Sequence, residues 1–313
     1  MNAFERTSNY EPMTLEAAVW LAAPQTWAAA LSPVLTAGAY VLNRQGSIDG
    51  LLFYLTLAGA LLMQSAANTL NDYYDYKKGT DNGKNSPDPK EAVLVYRHLA
   101  PRTVLMLAAG FLGAAAMIGL YVTSRCGWIP MGIGCIGGLS ILLYSGGLLP
   151  LSYLPVGEIV SGTVMGGLLP LAVIYVLMGR IELLDLYFMV PLILGVGLIM
   201  FTNNISDIEK DKSAGRRTLS VYLGRKKARY VYIFLLIIWI LSVGHMVFWH
   251  FRKGFFLYVL LLGFCGKCFM GQMGLAFLPD ERKRAMGGIT RLNLYLGLFY
   301  AAMILADGCV LKG

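Results

Sequence analysis

The chain has 313 residues, of which 57% are hydrophobic and only 14% are charged, and its formal net charge is +8. Its mean hydropathy of +0.60 and its many apolar runs of membrane length exclude a soluble protein. We therefore expect an all-α, polytopic membrane protein that lies in a lipid bilayer and has no nucleic-acid partner.

Nine apolar stretches are each long enough to cross a hydrocarbon core of about 30 Å as an α-helix. Polar or glycine-containing connections separate them. The predicted spans are residues 15–42, 48–75, 101–124, 127–147, 156–178, 185–206, 227–249, 254–278 and 287–310.

Basic residues are divided unevenly between the two sets of loops. The loops that follow even-numbered spans hold eighteen Lys and Arg residues, whereas those that follow odd-numbered spans hold five. By the positive-inside rule, the richer set faces the cytoplasm. This predicts a cytoplasmic N-terminus, a C-terminus on the opposite side, and two long, charged cytoplasmic loops at about 76–100 and 207–226.

The end of the second span is unusually polar. Residues 68–81, NTLNDYYDYKKGTD, contain three acids, two amides and two lysines. At 100° per residue along an α-helix, Asn68, Asp72 and Asp75 project from one face. This segment, the first motif, therefore predicts a cluster of oxygen ligands at the edge of the membrane.

The sixth span ends in a similar way, with residues 203–211, NNISDIEKD, here called the second motif. We expect Asn203, Asp207 and Asp211 to share one helical face as well. The two motifs match at an offset of 135 residues, which pairs Asn68 with Asn203 and Asp72 with Asp207. Asp211 is only an approximate counterpart of Asp75, and Asp81 has none.

This internal repeat predicts how a single membrane domain, residues 1–313, is organised. Residues 15–149 and 156–278 would form two four-helix units, and the ninth helix, residues 287–310, would complete the bundle. Each unit would deliver its motif at the cytoplasmic end of its second helix. The two motifs are then expected to face each other across a central cavity.

The residue types in the motifs restrict their chemistry. Carboxylate and amide oxygens without Cys or several His select hard cations such as Mg²⁺, which keeps coordination positions open for phosphate oxygens. Basic residues that follow each motif could neutralise a diphosphate; they are Lys77, Lys78, Arg97, Arg216 and Arg217. The alternative is that these polar residues only cap helices at the interface. Two matched motifs in register favour function, since clustered intramembrane acids usually mark a functional site.

Residues 71–81, NDYYDYKKGTD, and residues 203–224, NNISDIEKDKSAGRRTLSVYLG, resemble the two aspartate-rich motifs of the UbiA superfamily of intramembrane prenyltransferases. Within it they are most similar to the 1,4-dihydroxy-2-naphthoate polyprenyltransferases, the branch that makes menaquinone. Further similarity lies in YSGG at 144–147, YLPVGE at 153–158 and RLNLYLGLFY at 291–300.

The resemblance implies a Mg²⁺-dependent transfer of a polyprenyl group from polyprenyl diphosphate to an aromatic acceptor in the bacterial plasma membrane, with the active-site loops in the cytoplasm. In this branch the acceptor is 1,4-dihydroxy-2-naphthoate, which loses its carboxyl group to give demethylmenaquinone. The implied catalytic and metal-binding residues are Asn68, Asp72, Asp75, Asn203, Asp207 and Asp211. The implied substrate-binding residues are Lys77, Lys78, Asp81, Arg97, Tyr144, Glu158 and Arg216. Aromatic faces that could stabilise an allylic cation belong to Tyr73, Tyr74 and Tyr144.

Three departures from the family pattern leave the acceptor open. The family's Arg-Pro-x-Thr in the first span is APQT at residues 23–26, without the arginine. Glu91 and Ala92 stand where an arginine is expected after the second span, and Arg97 keeps a later basic position. The apolar run at residues 148–151 replaces a basic residue after the fourth-span tyrosine.

Two alternatives therefore remain. One is a member of the same superfamily that uses hydroxybenzoate, homogentisate, haem or a porphyrin-like acceptor. The other is a cation-coupled transporter built from repeats. A transporter would carry its acids near the midplane of the membrane, whereas these acids cluster at cytoplasmic span ends beside basic loops.

Two features of the eighth span fit none of these functions directly. Cys265 and Cys268 have CxxC spacing, but inside an apolar span with no second pair this pattern favours small-residue packing over redox or metal chemistry. The five cysteines as a set predict no disulfide framework. Lys267 lies between the pair and near mid-membrane, where a lysine must snorkel, pair or line a polar cavity, and we assign it no step.

Overall fold

A computed structural model describes residues 10–81, 89–90, 92–147 and 149–308 of the chain. These residues form α-helices with short 3₁₀ and π segments and no β-strand, which confirms the all-α prediction. The helices are α1 (Leu15–Ala22), α2 (Ala28–Gln45), α3 (Gly50–Lys77), α4 (Val93–Tyr96), α5 (Pro101–Cys126), α6 (Ile129–Ser145), α7 (Gly157–Ser161), α8 (Leu169–Met178), α9 (Leu183–Ser206), α10 (Ile208–Ser213), α11 (Leu219–His250), α12 (Phe255–Met273) and α13 (Arg282–Gly308).

Seven helical segments in the described part of the chain are long and apolar enough to cross a membrane. They are Gly50–Lys77, Pro101–Cys126, Gly157–Met178, Leu183–Ser206, Leu219–His250, Arg252–Met273 and Pro279–Gly308. The fourth predicted span forms the shorter apolar helix α6, and the first is divided between α1 and α2. The predicted count of nine spans is therefore not confirmed, because a stretch that is apolar on average can be too short or too polar once its helix ends are fixed.

The break in the first predicted span lies at Ala23, which adopts a left-handed conformation with φ 47°. The following Pro24 disfavours a helical conformation at Ala23. Thr26 stabilises the break, since its hydroxyl donates a 3.0 Å hydrogen bond to the carbonyl of Ala23. The chain therefore turns at this point, and the turn faces the candidate site described below.

The second motif does not lie on one continuous helix, contrary to the sequence prediction. Helix α9 ends at Ser206, Asp207 has φ −104° and ψ 18°, and α10 begins at Ile208. Asp207 thus lies at a junction rather than within a helix. The predicted loop at 207–226 is also largely helical, because it contains α10 and the first residues of α11. Gly224, with φ 72°, interrupts the helical conformation of α11.

Helix α13 occupies a central position and packs against α2, α9 and α12. Small residues allow α13 and α2 to approach closely: a Cβ placed on Gly297 would lie only 2.5 Å from the Cβ of Ser32. The Ser32 hydroxyl donates to the carbonyl of Asn293 at 3.1 Å, and Asn43 donates to the carbonyl of Ile304 at 2.6 Å. These contacts hold the middle and the C-terminal part of α13 against α2.

Candidate active site

A cavity of about 1530 Å³ is lined by residues of α3, α5, α6, α8, α9 and α13. Its wall is apolar along the middle of these helices, where the lining residues include Ala60, Met63, Ile118, Ile133 and Leu169. Its wall is polar where α3 and α9 end. The cavity can therefore hold a ligand with a charged head and a long apolar chain.

Both motifs reach this cavity. Asn68, Asp72 and Asp75 line it from α3, and Asn203 and Asp207 line it from the end of α9. Asp211, the sixth predicted ligand, is buried but does not belong to the described lining. The fold thus brings together residues that lie more than a hundred positions apart in the sequence.

Asp72 differs from the other acids of the site in its hydrogen bonding. Both of its carboxylate oxygens are buried and accept no hydrogen bond within normal limits from the described part of the chain, although the backbone N–H of Val93 lies nearby. A buried carboxylate without a partner is costly. This arrangement is typical of a site that a cation completes.

Arg216 links the two motifs. It follows α10, and its guanidinium forms ion pairs with Asp75 through Nη2 and with Asp211 through Nη1, the second at 3.5 Å. The guanidinium also lies over the Tyr153 ring, 5.3 Å from its centroid. Burial raises the pKa of Asp211 to about 6, although Arg216 favours the ionised carboxylate.

A second ion pair crosses between the motifs. Lys210 in α10 donates to Oδ1 of Asp81 at 2.5 Å, and the side chain of Asp81 is only 4% exposed. The backbone N–H of Asp81 donates to the carbonyl of Asp75 at 3.1 Å, which holds the chain beyond α3 against the helix end. Asp81 lacks a counterpart in the repeat, yet it lies at the same cavity.

Arg282, the first residue of α13, binds the second motif directly. Its Nε donates to Oδ1 of Asp207 at 2.7 Å, and its Nη2 donates to Oδ1 of Asn203 at 3.0 Å. Sequence reasoning missed this residue, because the basic cluster before the last span was interpreted only as a topology signal. That cluster was also the one signal that could have identified it. The cavity lining includes further polar residues that were not predicted, namely Gln64, Asn71, Asn204, Lys283 and Arg291.

Asn68 is oriented by the break between α1 and α2. Its Nδ2 donates to the carbonyl of Ala22 at 2.9 Å and to the Thr26 hydroxyl at 2.8 Å. Its Oδ1 accepts a long hydrogen bond of 3.4 Å from Gln64. The amide nitrogen is thereby fixed to the N-terminal segment, and the amide oxygen is the group of Asn68 that remains suited to a ligand.

Among the predicted substrate-binding residues, Asp81, Tyr144 and Arg216 belong to the described cavity lining, whereas the others do not. Lys77 lies over the Tyr73 ring at 5.7 Å from its centroid. Arg97 pairs with Glu16 at 2.7 Å, and its guanidinium lies 4.6 Å from the ring centroid of Trp20, which lines the cavity. Of the three tyrosines expected to stabilise a cation, Tyr144 alone lines the cavity; Tyr73 and Tyr74 are not part of that wall.

Lys78 and Glu158 do not line the described cavity, but each forms a hydrogen bond with a residue that does. Lys78 donates to the carbonyl of Ser145 at 2.8 Å and lies over the Tyr153 ring, 4.7 Å from its centroid. Glu158 is buried and accepts a 2.9 Å hydrogen bond from Asn204, which itself lines the cavity. Both residues therefore act on the described cavity through a neighbour rather than by lining it.

The CxxC pair and Lys267 lie apart from the site. The four described cysteines, Cys126, Cys135, Cys265 and Cys268, are free, and Cys309 lies outside the described residues. Lys267 is exposed on α12 and is not part of the described cavity wall. It therefore faces the surroundings of the bundle, which is consistent with a lysine that snorkels towards the interface.

The site residues fit a hard cation by donor type. No group of three or more His, Cys, Asp or Glu side chains in the described segments is arranged to hold a metal ion. Asp72 nevertheless offers two buried oxygens without partners, and Asn203 and Asp207 offer oxygens whose present partner is an arginine. Carboxylate and amide oxygens of this kind suit Mg²⁺, which needs few protein ligands when phosphate oxygens complete its shell.

Residues 30–303 match the UbiA prenyltransferase family. A 1,4-dihydroxy-2-naphthoate octaprenyltransferase of Bacillus subtilis (strain 168) is 35% identical over 208 residues, which cover 66% of this chain and 66% of that protein. A UbiA prenyltransferase domain-containing protein 1 of Danio rerio is 34% identical over 221 residues, which cover 69% of this chain and 63% of that protein. The aligned part of the chain thus spans just under two thirds of the length of these relatives.

Solved structures share the fold. A UbiA homolog from Archaeoglobus fulgidus bound to DMAPP and Mg²⁺ superposes with a TM-score of 0.61 at 15% identity, covering 91% of this chain and 99% of that one. An apo UbiA homolog from Aeropyrum pernix K1 gives a TM-score of 0.62 at 14% identity, covering 95% and 99%. The match over most of the chain and the shared fold show that this protein belongs to the UbiA prenyltransferase family.

Proposed function

We propose that this protein transfers a polyprenyl group from polyprenyl diphosphate to 1,4-dihydroxy-2-naphthoate, with loss of the acceptor's carboxyl group, in a reaction that requires Mg²⁺. One observation carries the proposal: acids of both motifs and the basic residues Lys210, Arg216 and Arg282 meet at one end of a cavity whose remaining wall is apolar. The names of the bacterial relatives support this acceptor.

The cavity suits the donor substrate. The diphosphate head would lie at the polar end between α3 and α9, and the prenyl chain would lie along the apolar wall, where burial of each CH₂ contributes about 0.8 kcal/mol. Asp72, Asn203 and Asp207, with Asp75 in support, would hold Mg²⁺. When bound, Mg²⁺ would neutralise charge on the diphosphate and so favour its departure.

The chain's own residues supply the remaining stabilisation. Lys210, Arg216 and Arg282 can donate charge-assisted hydrogen bonds to the phosphate oxygens as the C–O bond of the prenyl diphosphate breaks. The Tyr144 ring, in the cavity wall, is suited to stabilise the allylic cation. The apolar wall keeps water from that cation. The acceptor ring then forms the new C–C bond, and its carboxyl group leaves as CO₂.

The experiment is an assay of the purified protein with Mg²⁺, a polyprenyl diphosphate and 1,4-dihydroxy-2-naphthoate, followed by detection of the prenylated product and released diphosphate. We expect product that disappears with EDTA and returns with excess Mg²⁺. Product with hydroxybenzoate or homogentisate but not with the naphthoate would show that the proposed acceptor is wrong and that prenyl transfer is right. Absence of transfer to every acceptor would refute prenyl transfer itself.

We also propose that the polar end of the cavity faces the cytoplasm of a bacterial cell. The support is that both motifs lie at span ends whose loops carry most of the basic residues. Reporter fusions after the second and sixth spans test the orientation. Activity of a periplasmic reporter at either position would contradict it.

A further inference from the structure

Arg282 holds the two oxygens of the second motif that the proposed function assigns to a metal ion. Its guanidinium donates to Oδ1 of Asn203 at 3.0 Å and to Oδ1 of Asp207 at 2.7 Å. The side chains of Arg282 and Asp207 are 25% and 11% exposed, so water screens the pair only in part. At Asp72, the counterpart of Asp207 in the repeat, the described residues make no equivalent contact.

Competition follows from this geometry. A divalent cation bound to Oδ1 of Asn203 and Oδ1 of Asp207 would lie close to the guanidinium on the same oxygens, and two cations at that distance repel each other. Hydrogen bonds to charged groups are stronger than those between neutral groups. A metal ion that binds Asn203 and Asp207 must therefore displace these hydrogen bonds, which lowers the affinity of the protein for the metal ion by at least about tenfold.

The displaced side chain has a place to go. Arg282 lines the cavity, and it lies at the first position of α13, directly after a 3₁₀ turn at Pro279–Glu281. Ala285 and Ile289, further along α13, are fully buried, so the helix itself is anchored while its first side chain can reorient. Arg binds phosphate oxygens with the same two-pronged geometry that it uses for carboxylates.

We infer that Arg282 is an exchanging cation: it occupies Asn203 and Asp207 in the ligand-free protein, yields them to the metal ion, and then binds the diphosphate head of the prenyl donor. This inference rests on the proposed function. It assigns Arg282 two opposite effects, because the residue opposes binding of the metal alone and supports binding of the metal with diphosphate.

The test is titration calorimetry on the purified full-length protein in detergent, without acceptor and therefore without turnover. Mg²⁺ is titrated alone, and a prenyl diphosphate is titrated in saturating Mg²⁺. For Arg282→Gln we expect Mg²⁺ alone to bind about tenfold more tightly and the prenyl diphosphate to bind about tenfold more weakly. The matched control is Arg284→Gln, which removes the same charge from an exposed position two residues along α13 and should change neither affinity.

Arg282→Lys guards against a folding defect in the Gln variant. It keeps the charge but not the two-pronged contact, so both affinities should fall between those of the wild type and Arg282→Gln. This inference alone would be overturned if the wild type binds Mg²⁺ and prenyl diphosphate but neither Arg282 variant binds Mg²⁺ more tightly than the wild type does. If the wild type binds neither Mg²⁺ nor the prenyl diphosphate, the proposed function is overturned as well.

Discussion

The two motifs match in sequence but differ in how the fold neutralises their acids. Asn68, Asp72 and Asp75 of the first lie on the uninterrupted helix α3, and the two buried oxygens of Asp72 have no hydrogen-bond partner among the described residues. The second lies at the junction of α9 and α10, and Arg282 holds Asp207 and Asn203. A sequence repeat therefore does not produce two equivalent halves: Asp72 forms no ion pair with the described residues, whereas its counterpart Asp207 contacts Arg282.

The largest effect is expected for Asp72→Asn. Loss of this carboxylate should lower prenyl transfer by about 10²–10³-fold, because it removes a preorganised charge from the site. The Tm should stay the same or rise, since a buried charge without a partner destabilises the protein. Product formation and thermal unfolding in detergent measure the two effects.

A matched control for that change is Asp49→Asn. Asp49 caps the start of α3, where it accepts from the N–H of Leu52 at 3.0 Å, and Asn caps helices about as well as Asp. Activity and Tm should both be unchanged. A fully active Asp72→Asn protein would refute the role of the first motif.

Asp207→Asn should also lower transfer, by about 10²-fold, but its effect on stability should have the opposite sign. The substitution leaves the Arg282 guanidinium without its carboxylate, which costs about 1–3 kcal/mol. The Tm should therefore fall, whereas it does not fall for Asp72→Asn. A Tm change of the same sign in both variants would contradict the contrast between the motifs.

Arg216→Lys tests the link between the motifs. A lysine cannot hold Asp75 and Asp211 together as the guanidinium does, so KM for the prenyl diphosphate should rise about tenfold with a smaller change in kcat. Steady-state kinetics at saturating acceptor measure this. Arg180→Lys, an exposed arginine in the loop after α8, is the control and should behave as wild type; equal KM values in both variants would rule out the bridging role.

The pair Asp81 and Lys210 should show a smaller effect. A double-mutant cycle with Asp81→Asn and Lys210→Gln should give a coupling of about 1 kcal/mol in stability, because the two side chains are in direct contact and partly buried. Unfolding of the wild type, the two single variants and the double variant supplies the four values. Additive effects would show that the pair does not tie the motifs together.

The smallest effect is expected for Arg97→Gln. The sequence placed Arg97 in the substrate site, but the structure pairs it with Glu16, and the two side chains are 32% and 56% exposed. An exposed pair of this kind contributes little, so KM and kcat should change less than twofold. A larger rise in KM for the prenyl diphosphate would show that Arg97 contributes to binding this substrate.

Local sequence features were enough to predict the all-α class, the membrane location, the two motifs and the donor type of the site. These properties depend on local features: runs of apolar residues long enough to span a bilayer, and polar residues that recur at helical spacing. The shared offset of 135 residues also predicted that Asn68, Asp72, Asn203 and Asp207 serve one site, and all four line one cavity.

Which charges meet depends on how the helices pack in three dimensions. The contact of Arg282 with Asp207 joins residues 75 positions apart, and that of Arg216 with Asp75 joins residues 141 positions apart; no local pattern encodes either distance. The junction at Asp207 and the ion pair between Arg97 and Glu16 likewise follow from how the helices pack. Hydropathy locates a helix in the membrane, but the partner of a charge depends on which helix ends the packing brings together.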